Sequence, residues 1–139
     1  MWQYYAILSA VFAALVAIFA KIGIKDIDSN LATAIRTCVI LVITWGIVLF
    51  SNTFSEIKTL TARNWTFLIL SGAATGLSWL FYFRALQLGE ASKVVPVDKL
   101  SIVFVILLSF LILREPFSWR VLLGGCLITA GALVIVFDK

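Results

Sequence analysis

Asp98 and Lys99 stand directly before an uncharged run of 14 residues that ends at Arg114. As an α-helix that run covers about 21 Å, at roughly 1.5 Å per residue. A bilayer core is about 30 Å thick and asks for about 20 residues. To cross it, the segment has to begin near Lys93 or Val94 and carry Pro96, Asp98 and Lys99 into the membrane. A carboxylate and an ammonium at that depth are costly unless paired or facing water, so they are the first candidates for a solute or ion site. The alternative keeps both in the headgroup layer, with Lys99 extended outward. On one helix Asp98 shares a stripe with Ser101, Val105, Leu108 and Ile112. Lys99 lies about 100° around the axis, so the two are expected to be poor partners, and Asp98 to find its counter-charge on another helix.

Three more cations sit at the edges of apolar runs: Lys21, Arg36 and Arg84. Taken as helices that cross and return, the spans place Lys21, Arg36, Arg84, Asp98 and Lys99 in one leaflet. Two readings stay open for that cluster. It is an ion-paired rim that holds helix ends together, or a polar mouth whose field favours an anionic or zwitterionic solute. Arg36 is expected to snorkel toward the headgroups. Trp79 with Tyr82 or Phe83 forms an aromatic stripe at helical spacing. The stripe packs against lipid or core, or it walls a cavity, since Trp and Tyr combine an apolar face with a polar handle.

These residues need a membrane around them. Of 139 residues 63% are hydrophobic and 13% charged, with a mean hydropathy of +1.11. No water-soluble domain of this size hides that much apolar surface, so the expected class is an all-α integral membrane protein. The net charge of +4 is spread over segment ends, which suits headgroup anchoring and provides no continuous patch for nucleic acid. Cys38 and Cys126 lie in apolar runs without ligand spacing and read as small hydrophobes. Histidine is absent. With no ligand cluster and one embedded carboxylate, neither catalysis, a metal nor a cofactor is expected.

Five transmembrane helices are expected, at residues 2–22, 31–50, 65–88, 93–113 and 120–137, in a single domain over 1–139. The first run is too long for a signal-peptide core and lacks a basic leader, so it is kept as a span. Ser29 or Asn30 is expected to cap the second helix, Ser92 the fourth and Ser118 the fifth, with Pro116 ending the fourth. Pro96 is expected within the first turn or so, where it forfeits few bonds. Phe54, Ile57 and Leu60 suggest a short helix lying on the membrane surface. Gly72, Gly76, Gly124, Gly125 and Gly131 are small positions at which helix backbones can approach closely. An odd number of spans puts the termini on opposite faces. Lys58, Arg63, Arg114 and Arg120 then share one face and Lys21, Lys25, Lys93 and Lys139 the other. Four loop cations oppose four, a balance that fixes no orientation and is compatible with insertion both ways.

Several stretches together resemble the EamA domain of the drug/metabolite transporter superfamily. They are Ala20-Lys21-Ile22-Gly23, Arg84 to Ser92, Val95-Pro96-Val97-Asp98-Lys99-Leu100-Ser101, Leu113-Arg114-Glu115-Pro116 and Gly125 to Gly131. Order, spacing and length agree over all five spans. The one departure is Arg114, where that family usually has glycine. The resemblance implies one half of a ten-helix inverted-repeat transporter fold. It also implies a homodimer, in its simplest form with protomers in opposite orientations, as the way to rebuild the whole. The function it implies is transport of small polar metabolites, amino-acid-like or other small organic solutes, by alternating access in the cytoplasmic (inner) membrane. Asp98 would be the charged determinant, Lys99 and Arg84 counter-charges or gate residues, and Tyr82, Trp79 and Ser101 the lining. The first span has no carboxylate between Trp2 and Ala20, so proton coupling would fall on Asp98. The alternatives are a non-transporting membrane subunit or assembly factor, and a flippase for a lipid-linked sugar.

Overall fold

In the computed structural model, described for residues 1–116 and 118–137, every regular element is helical. Lys139, counted above with one face, lies outside the described residues. Helix α1 covers Trp2–Gly23, α2 Ser29–Phe50, α3 Ala62–Leu88, α4 Ala91–Asp98, α5 Ser101–Leu108 and α6 Trp119–Phe137. By length and apolarity five segments can cross a membrane: α1, α2, α3, the stretch Ala91–Leu113 that contains α4 and α5, and α6. Most of their large side chains are exposed on all sides, as expected of helices that meet lipid instead of water.

The described residues form two compact units. One holds Ile18–Leu88, the other Met1–Ala17 with Gly89 onward. In the first unit α2 packs along α3. Its buried residues gather where α1 ends, α2 begins and α3 ends: Ala20, Ile24, Ser29, Ala32, Thr33, Phe83 and Leu86. Small side chains on α1 and α2 let the helices close on the two large ones from α3. In lipid this contact gains dispersion rather than hydrophobic energy. Asp28 caps α2, one residue before the expected cap, its carboxylate accepting from the N–H groups of Asn30 and Leu31. A carboxylate there also meets the positive end of the helix dipole. Between α2 and α3 runs a 3-10 helix over Thr53–Thr59, entered through Asn52 at φ 55°. Its Phe54 ring leans on Trp45, with centroids 6.0 Å apart.

In the second unit α6 packs along both α4 and α5. The fourth span is not the continuous helix that the sequence suggests. Lys99 N–H donates to both Val95 O and Pro96 O, and Leu100 N–H reaches back only three residues, to Val97 O. Ile102 and Val103 do the same to Lys99 and Leu100. The α-helix therefore stops at Asp98 and restarts at Ser101. Glu90 and not Ser92 is the N-cap, which puts Pro96 inside α4, beyond its first turn. There it lacks a donor for the preceding turn and its ring crowds that turn's carbonyl. Past Leu108 the span widens into a π turn, Ser109–Leu113, and Arg114 ends it at φ 54° with Glu115 N–H bonded to Ser109 O. The left-handed arginine, two residues ahead of Pro116, is what stops the helix.

Threonine hydroxyls within the helices are satisfied locally. Thr33, Thr37, Thr44, Thr66, Thr75 and Thr129 each donate to a carbonyl four residues back. In a medium without water this is the least costly way to keep a hydroxyl. It also takes them out of the set of donors free for a solute.

Candidate functional site

The end of α3 is tied to the turn between α1 and α2 by polar side chains. Lys21 Nζ donates to Leu86 O at 2.5 Å. That carbonyl lies in the last turn of α3, where carbonyls lack intrahelical partners and carry the negative end of the dipole, so an ammonium fits it on both counts. Gln87 Nε2 donates to Ile27 O at 2.8 Å and to Ile24 O at 3.4 Å, and its Oε1 accepts from Arg84 Nη1 at 2.7 Å. Arg84 and Gln87, three apart on α3, thus form a chain that ends on the backbone of the turn. Lys21 and Arg84 are both engaged in this fastening. Sequence reasoning does not single out Gln87. Its spacing from Arg84 is the available signal, but the turn carbonyls it meets are 60 and 63 residues away.

Arg36 reaches across from α2 to aromatic rings of α3. Its guanidinium carbon lies 4.2 Å from the centre of the Phe83 ring and 5.6 Å from that of Trp79. Phe83 is 1% exposed and its ring is edge-on to Tyr82, with centroids 5.4 Å apart. The stripe that matters is therefore Trp79 with Phe83, four residues apart on α3, and it draws Arg36 across from α2. A cation over an aromatic face gains about 0.5–2 kcal/mol. Rings do not satisfy N–H groups directed along the guanidinium plane. Arg36 Nη1 is enclosed and has no hydrogen-bond acceptor among the described residues. An enclosed donor left this way costs about 1–3 kcal/mol, more when charged. The side chain as a whole stays partly exposed.

In the other unit, Asp98 Oδ2 and Lys99 Nζ form an ion pair at 3.5 Å, so the expectation that they would be poor partners is corrected. A 100° step holds on a regular helix, and here the helix is interrupted between them. Both side chains stay well exposed, at 39% and 49%. Ser101 is exposed at the first position of α5. An acid, an amine and a hydroxyl thus stand at a backbone break within an apolar span.

The glycines divide sharply. A Cβ on Gly125 would lie 2.6 Å from Ile106 Cδ1, so α5 and α6 meet closely there. Beside that contact an apolar groove of about 330 Å³ is lined by residues including Val103, Ile106, Cys126 and Leu133. At Gly72, Gly76, Gly124 and Gly131 a Cβ would meet nothing within 4 Å.

Residues 1–137 match the EamA-like transporter family. An uncharacterized transporter in the cobO 3' region of Sinorhizobium sp is 50% identical over 134 residues, which cover 96% of this chain and 95% of that protein. No solved structure matches.

Proposed function

Because the chain belongs to the EamA-like transporter family, a family of integral, multi-pass membrane transporters, we propose that it moves small polar organic solutes, amino-acid-like or similar, across the inner membrane by alternating access. The observation that carries this reading is the interrupted fourth span, with Asp98, Lys99 and Ser101 at the break. Irregular backbone at membrane depth is tolerated where it lines a protein or water-filled cavity, and transporters use such breaks to hold solutes and coupling ions. The Asp98 carboxylate suits the ammonium of an amino-acid-like solute. One protomer has five candidate spans, so we assign the working unit to a homodimer with protomers in opposite orientations. The outward glycines Gly72, Gly76, Gly124 and Gly131 offer faces for that contact.

Purified protein in liposomes, loaded with a panel of unlabelled amino acids and small organic acids, tests the reading by counterflow of the labelled compounds. Wild type should exchange at least one of them, and Asp98→Asn and Ser101→Ala should slow that exchange. Equal exchange by all three proteins would remove the assigned site. A terminal cysteine labelled from both sides of intact cells supports opposite orientations; labelling from one side alone sinks that arrangement.

A further inference from the structure

Arg36 has features of a binding residue that the fastening of α3 does not use. It comes from α2, lies over Phe83 and near Trp79, and keeps one enclosed nitrogen without an acceptor among the described residues. Among those residues no carboxylate pairs with it: the ion pairs are Lys93 with Glu90 and Lys99 with Asp98. Phe83 is fully buried, so the platform under the guanidinium is fixed by packing. A guanidinium stacked this way keeps its planar fork of donors and stays partly exposed. Such a fork matches the two oxygens of a carboxylate or the oxygens of a phosphate. An unpaired cation in an apolar segment is costly, and an oxyanion arriving at the exposed part of the side chain would relieve that cost.

We infer that Arg36, held on the Phe83–Trp79 platform, is an oxyanion-binding residue that receives the carboxylate or phosphate group of the transported solute. This rests on the transporter reading and narrows it: the solute carries a negative charge at one end. The same chemistry is present in a phospholipid headgroup, and the test separates the two sources.

Protein purified in phospholipid-free detergent is titrated with acetate, glycine, succinate and inorganic phosphate, and in parallel with acetamide, glycinamide and succinamide, following thermal stability. At least one oxyanion should bind wild type about ten- to a hundredfold more tightly than its amide, the range that a charge-assisted hydrogen bond provides. Arg36→Gln should abolish that preference and Arg36→Lys should retain part of it. No preference in the wild type, or the same preference in Arg36→Gln, overturns the inference. Should Arg36→Gln fail to fold, Arg36→Lys decides, since an undiminished preference there means the fork is not used. Native mass spectrometry from phosphatidylglycerol nanodiscs covers the other source. Loss of a bound phospholipid in Arg36→Gln, with no solute preference in wild type, assigns the residue to a headgroup and overturns the solute role. Counterflow of neutral solutes without any Arg36-dependent preference removes this inference and leaves the transporter reading standing; Arg36-dependent binding without flux of any compound leaves an oxyanion site but overturns the transporter reading and the solute role built on it.

Discussion

The two polar regions of the chain are built on opposite plans. Where α1, α2 and α3 converge, cations and an amide are directed mostly at main-chain carbonyls: Lys21 at Leu86, Gln87 at Ile24 and Ile27, with Arg84 bracing Gln87. In the fourth span the backbone itself is broken, and the charges beside it, Asp98 and Lys99, pair with each other and remain exposed. The first region converts charge into rigidity. The second holds charge where something else can meet it. Residue type does not separate the two groups; what separates them is whether a backbone group elsewhere needs a donor.

The contrast can be broken by substitution. Phe83→Ala should be the most damaging change, lowering stability by about 3–5 kcal/mol through a large cavity and through loss of the platform under Arg36; thermal unfolding in detergent measures it. Gln87→Leu removes the donor to two carbonyls and should cost about 1–3 kcal/mol in the same assay. Asp98→Asn should leave the unfolding midpoint nearly unchanged and slow solute exchange by about tenfold, some 1.4 kcal/mol. If Asp98→Asn unfolds as early as Gln87→Leu, the division between fastening and function fails. Gly125→Ala in α6 should be destabilising because Ile106 must move, while Gly46→Ala in α2, with open space around it, should gain up to about 1 kcal/mol of helix propensity. An equal response at both positions would mean that the α5–α6 contact is looser than described. Arg114→Gly should be the mildest, stabilising by roughly 0.5–1 kcal/mol, since glycine takes the left-handed conformation at φ 54° without strain.

Five membrane-spanning segments are legible in the sequence because apolar runs bounded by charges report length and little else is needed. The need for Asp98 and Lys99 to enter the span is legible for the same reason, and the resemblance carried by Arg84 to Ser101 points to the family. The break after Asp98 is not, because Leu100, Ile102 and Val103 bond three residues back and no residue type there announces it. The partners of Arg36 are hidden from the sequence because Phe83 and Trp79 belong to another helix, so nothing near it in the chain signals them. Gln87 escapes notice for a related reason: an amide at a helix end looks like surface until the carbonyls it reaches are known. Arg114 shows the reverse case, a departure from the family's glycine that the sequence flags and that falls at a positive φ.

The tight turn from Val97 to Val103 also sets how the fourth span yields to force. A continuous rod of 23 residues tilts as a whole when the surrounding bilayer thins or thickens. Two eight-residue rods meeting at a joint can instead bend there, so a change of lipid chain length is absorbed at the residues that hold the ion pair. Exchange rates should therefore respond to bilayer thickness more steeply than thermal stability does, with the joint acting as the compliant point of an otherwise stiff wall.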